Sequence, residues 1–220
     1  MMISVEQLQG YTIRGTDGEI GNLHDVYFDD VSWKVLFLLV DTRPWIVGRL
    51  VLVAPAALGD PDTESRVFPM SLTKAEVENG PSVEEHKPVS RQHAADVAKY
   101  WDRPFFGPGD PRFDLGLELD PPATQPETNK APADDPHLRS AGDIRNHHVD
   151  TPDGRCGHIE DWIVDLDTWT IRDVVIDTTD WWPGGQVTIP CTEIASMSWD
   201  EKSVQVRLSK EALAARARSR

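Results

Sequence analysis

The chain repeats itself: Asp17-Gly18-Glu19-Ile20-Gly21 returns as Asp153-Gly154-Arg155-Cys156-Gly157, an offset of 136 residues. The register continues without a gap through Asp25/Asp161, Asp29/Asp165, Trp33/Trp169, Asp41-Thr42/Asp177-Thr178, Trp45/Trp181 and Gly48/Gly184, and still holds at Leu72-Thr73-Lys74 against Leu208-Ser209-Lys210. A period this long is no solenoid unit; it describes two copies of one small domain. Residues kept in both copies are expected to serve the fold. Residues that differ are where a specific job can sit.

The 220 residues hold two domains of about 70 to 90 residues each with a connecting region, each large enough for a modest core. The expected division is 1–80, a connecting region 81–137, and 138–220. Each copy opens with a hairpin turning at Asp-Gly. Val26–Asp29 and Trp162–Asp165 follow, then Trp33–Val40 and Trp169–Ile176, then Arg49–Val53, Gln186–Ile189, Arg66–Met70 and Ser203–Leu208. Short strands separated by Gly, Asp and Pro turns predict a mainly β protein of two small barrels. A short helix closes each copy: Thr73 with Glu76 forms a capping box, and Ser209 caps its counterpart. A further helix is expected from Ser90 to Trp101, where Ala94, Val97, Ala98 and Trp101 fall on one face. Eight of the 17 prolines lie between Pro104 and Pro136 among acidic residues, the composition of an extended linker.

These residues resemble the PRC-barrel family. The resemblance rests on Gly10-Tyr11 through the Asp17–Gly21 motif, Asp25-Val26, the strand ending Val40-Asp41, Gly157–Asp161 and Val174–Asp177. Lys87–His93 with Tyr100-Trp101 and Pro104 is similar to the segment joining the barrels of tandem members. The family is named for the cytoplasmic domain of the photosynthetic reaction centre H subunit, and a related barrel ends a ribosome maturation factor. The resemblance implies a protein-binding barrel without catalytic residues. Association with a ribosomal protein or a photosynthetic complex is an analogy of fold.

Charge and hydropathy narrow the partners. A net charge of −15 opposes phosphate backbones and anionic lipid at long range, so no direct nucleic-acid contact is expected. The longest apolar run, Val35–Val40, is six residues, against about 20 for a membrane-spanning helix. No membrane insertion is expected. The first residues lack a secretory signal, which predicts a cytoplasmic protein. Cys156 stands where the first copy has Ile20 and reads as a small buried apolar residue.

No phosphate-cradling loop, nucleophile elbow or Cys–His catalytic motif is present, so the chain is expected to be neither an enzyme nor dependent on a cofactor. The repeated aspartates read as backbone-bonding turn residues. His147, His148 and His158 are unique to the second copy and are the candidate metal ligands, although adjacent histidines on a strand face opposite ways. The candidate protein-binding residues also come from differences between the copies. Leu36-Phe37 is apolar where the second copy has Arg172-Asp173, and Trp162 and Trp182 replace Val26 and Ile46, with packing in the core of the second barrel as the competing reading of these tryptophans. The first pair needs a cover, either the Ser90–Trp101 helix with Phe105-Phe106 or another chain in an isologous homodimer.

Overall fold

The computed structural model describes residues 1–42, 50–79, 82–83, 138–179, 185–198 and 201–217. Its strands are β1 (Met2–Ser4), β2 (Thr12–Gly15), β3 (Gly18–Asp29), β4 (Val35–Asp41), β5 (Leu50–Val53), β6 (Val67–Pro69) and β7 (Ser82–Val83) in the first repeat. The second repeat contributes β8 (Leu138–Ser140), β9 (His148–Thr151), β10 (Gly154–Asp165), β11 (Thr170–Asp177), β12 (Gln186–Pro190), β13 (Ile194–Ser198) and β14 (Ser203–Val206). Short helices occupy Val5–Leu8, Lys74–Glu78, Ala141–Ile144 and Lys210–Ala217. The protein is mainly β, with two sheets, and among the described residues neither sheet closes into a barrel.

The compact units do not coincide with the repeats. One unit consists of Gly10–His24 and Leu36–Leu138; the other combines Met1–Gln9 and Asp25–Val35 with Arg139–Arg220. Contiguous repeats at 1–80 and 138–220 predict contiguous units, but chain segments of the first repeat are built into the unit of the second. The N-terminal strand and helix of each copy are too short to announce themselves by periodicity, and their partners lie far away in sequence.

In the first-repeat unit, β2 and β3 form the hairpin expected at Asp-Gly, and β6 lies parallel to β2 with Ile13 opposite Phe68. β4 pairs antiparallel with β5, which pairs with β7. Ile13, Ile20, Phe37, Leu38, Leu52, Phe68 and Val77 are completely buried here. Leu36 and Phe37, the apolar pair expected to seek a cover, are both buried within the single chain. The Lys74–Glu78 helix carries the predicted Thr73–Glu76 capping box.

In the composite unit the sheet runs β12-β11-β10-β9-β14-β13, with β1 on β10. The one-turn helix Cys191–Glu193 joins the two outer strands. Cys156 is buried, as its match with Ile20 predicts, and burial pushes its thiol up to about 11. Cys191 is buried too, and both thiols are free.

The glycine that ends the Asp-Gly-x-x-Gly motif has the same cause in both copies. A Cβ at Gly21 would stand 2.1 Å from the Asp41 carbonyl oxygen, and one at Gly157 only 1.9 Å from that of Asp177. No side chain fits where the long strand bends this close to its neighbour.

Candidate functional site

The composite unit is a contact between the two repeats, made in duplicate. β1 of the first repeat pairs antiparallel with β10 of the second, Met2 opposite Asp165 and Ser4 opposite Ile163, and β8 of the second repeat pairs with β3 of the first. Between these paired segments the Val35 N–H donates to the Trp169 carbonyl and the Ile171 N–H donates to the Trp33 carbonyl, each at 2.8 Å. Those four residues are related by the repeat offset, so a local two-fold relation passes near the Lys34–Thr170 bridge. Trp33 and Trp169 both take positive φ, 62° and 46°. Left-handed backbone is costly for a bulky side chain, and finding it at both equivalent positions marks a shared structural requirement.

Each repeat grips the other with a repeated aspartate. Asp25 accepts hydrogen bonds from the Gly142 N–H at 3.0 Å, the Ser140 hydroxyl at 2.5 Å and its neighbour Val26 N–H at 2.7 Å. Asp161 accepts from the Glu6 N–H at 3.1 Å and the Trp162 N–H at 2.8 Å. In both cases the carboxylate satisfies a free amide at the start of a short helix supplied by the other repeat. Burial raises the Asp25 carboxyl above its ordinary value; the donors from Ser140, Val26 and Gly142 oppose the rise and Asp143 adds to it.

The remaining repeated aspartates are also used by the fold. Asp17 accepts from the Lys74 N–H at 2.9 Å and Asp153 from the Lys210 N–H at 3.0 Å, each joining a hairpin turn to a helix start 57 residues away. Asp29 closes a local turn through Val31 and Ser32, and Asp165 does so through Asp167 and Thr168. These aspartates bond backbone amides as the sequence suggests. The long-range partners of Asp17, Asp25, Asp153 and Asp161 could not be named from spacing.

Trp162, singled out because the first repeat has Val26 there, is 1% exposed. Its ring lies 5.2 Å from Phe28 and 6.1 Å from Trp33, and Phe28 stacks on Trp33 at 5.8 Å. The added tryptophan therefore meets the other repeat rather than solvent. Its indole N–H is buried without a hydrogen-bond acceptor. Leu36 and Phe37 are core residues of the first-repeat unit. Trp182 lies outside the described residues, as do Trp45, Trp101, Trp181, Trp199, the helix expected from Ser90 and the Pro-rich segment.

The histidines separate into two environments. His148 and His158 are opposite one another on β9 and β10, and Asp177 is opposite His158 on β11, with His158 Nε2 3.7 Å from Asp177 Oδ2. Directly opposed residues share a face of the sheet. His147 is buried, and burial, with Lys202 contributing, holds its imidazole below the usual value. No group of three or more metal-ligating side chains is arranged to hold an ion among the described residues.

One polar contact at the interface went unforeseen. Arg139 of the second repeat donates from Nε to Asp30 Oδ2 of the first at 2.7 Å, with both side chains largely buried. Its signal was present in the repeat itself: the positions equivalent to Arg139 and Asp30 are Ile3 and Leu166, so charge occurs on one side only. No protein-family model and no curated protein matches the chain. No helix among the described residues is long and apolar enough to cross a membrane.

Proposed function

We propose that the chain is a non-catalytic assembly module of the tandem PRC-barrel type, whose repeats act by taking up strand-and-helix segments of other protein domains. The observation that carries this reading is the reciprocal capture within the composite unit. The long strand of each repeat accepts an extended segment alongside it, and an aspartate on that strand binds the helix start that follows. Adding a strand to a sheet edge is a general mode of protein recognition, with main-chain hydrogen bonds supplying affinity and side chains supplying specificity. Two further features fit a barrel-type domain: an outer pair of strands joined by a single helical turn at Cys191–Glu193, and an equivalent turn at Pro55–Ala57 in the first repeat. The repeated carboxylates, the natural acid–base candidates, are engaged by backbone amides.

Cross-linking in cell extract followed by mass spectrometry tests this reading. A reproducible protein partner cross-linked through the sheets supports it. Absence of any partner, together with turnover or a bound metal in the purified protein, would overturn it.

The cross-strand His148–His158 pair favours a second reading, a two-histidine metal or small-molecule site on the second repeat. Metal analysis of purified protein beside a His148→Ala variant separates the two. Stoichiometric metal that disappears in the variant supports this alternative.

A further inference from the structure

The interface between the repeats is built twice but filled differently on its two sides. On one side Arg139 meets Asp30, with side chains 15% and 9% exposed. At the equivalent positions on the other side stand Ile3 and Leu166, 7% and 8% exposed; the Leu166 N–H donates to the Met1 carbonyl, which fixes it beside β1. Aromatic content is one-sided as well. Trp162 packs on Phe28 and Trp33, whereas the equivalent set is Val26 with Val164 and Trp169.

These differences give each pairing of repeats its own outcome. A first repeat against another first repeat would set Ile3 against Asp30, leaving a largely buried carboxylate without its guanidinium, and would replace Trp162 by valine beside Phe28 and Trp33. A second repeat against another second repeat would set Arg139 against Leu166. Removing one side of a largely buried ion pair costs more than the intact pair contributes, so the mismatch discriminates even where the match adds little. The unlike pairing satisfies both sides.

We infer that Arg139–Asp30, Ile3/Leu166 and the Trp162 cluster form a matching code between repeats: a first repeat pairs with a second repeat, from its own chain or from another copy, and not with another first repeat. The contacts are main-chain pairing, buried side chains and carboxylate-to-amide bonds, and none of them depends on the covalent link between the halves. The interface is therefore a subunit interface enclosed in one chain, and a second copy can supply the missing half by exchange. This rule holds whether or not the chain captures other proteins.

The test uses the full chain with a protease site placed between Pro104 and Pro136. Native mass spectrometry of the cut protein is expected to show one first half bound to one second half. After isotope-labelled and unlabelled cut protein are unfolded and refolded together, labelled and unlabelled halves are expected to mix while first–first and second–second pairs stay absent. Asp30→Leu is expected to weaken the pairing of the halves by removing the carboxylate that accepts from Arg139 Nε. Adding Arg139→Ile is expected to restore binding and admit like-with-like pairs. Separation of the unmutated halves on cutting, without any unfolding step, overturns the inference, as does Asp30→Leu leaving both binding and selectivity unchanged. Because the cut sample is read before refolding, failure to refold does not mask the result.

Discussion

Asp25 and Asp161 occupy equivalent places at the two ends of the inter-repeat contact, yet their surroundings differ. Asp25 is buried and accepts three donors, one of them the Ser140 hydroxyl, which itself accepts from the Asp143 N–H at 2.9 Å. Asp161 is half-buried and accepts two, and Ser4, the counterpart of Ser140, forms instead a capping box with Gln7. Where Glu6 follows Ser4, the second repeat has Gly142, and a Cβ there would crowd the Asp25 carboxylate at 3.1 Å. One motif thus makes a tight, dehydrated grip on one side and a looser, wetter one on the other. Residues common to both copies make the contact on each side, and residues that differ set its strength.

Truncating Trp162 to alanine should have the largest effect. It empties the space beside Phe28 and Trp33, and denaturant unfolding should show a loss of about 3–5 kcal/mol, against about 1–2 for Val26→Ala at the equivalent place. Equal losses would mean that the aromatic cluster confers no asymmetry. Gly157→Ala and Gly21→Ala test the repeated glycine, with backbone at φ 144° adding to the cost at Gly157 alone. Each forces a Cβ onto a carbonyl oxygen, so both should cost about 3 kcal/mol or more, read as reduced thermal midpoints. A negligible loss at either position would remove the shared structural explanation of the motif.

Asp25→Ala should cost about 2–4 kcal/mol because its buried donors lose their acceptor, while Asp161→Ala, where water replaces the carboxylate, should cost about 1. Reversal of that order in urea titrations would break the comparison. The smallest effect is on pH dependence. The folded-state pKa of Asp25 is raised above 3.8, so the folded protein holds the proton more tightly than the unfolded chain. The contribution is fully present below the unfolded value and declines as pH rises through the folded one. Stability measured across that window should fall with pH in the parent and flatten in Asp25→Asn.

Much of the local structure was legible in the sequence. The Asp-Gly hairpins, the Thr73 capping box and the strands at Val35–Asp41 and Thr170–Asp177 follow from turn chemistry and apolar runs. Cys156 was readable as buried from its match with Ile20. By contrast, the three-residue strands Met2–Ser4 and Leu138–Ser140 have no usable period, and their partners lie more than a hundred residues away. Trp162 illustrates the limit well. Its difference from Val26 correctly marked it as unusual, but an added aromatic residue can equally face solvent or another part of the same chain.

By itself the sequence determined the duplication, the β character, and which residues each copy needs for its turns and caps. Those properties depend on neighbours within a few positions and on a repeat that can be read directly. Tertiary structure decided that the copies exchange their first segments, that Asp25 and Asp161 bind helix starts of the opposite repeat, and that Arg139 meets Asp30. Such pairings rest on which distant surfaces are complementary in shape and charge, a property of the folded chain that no local pattern carries.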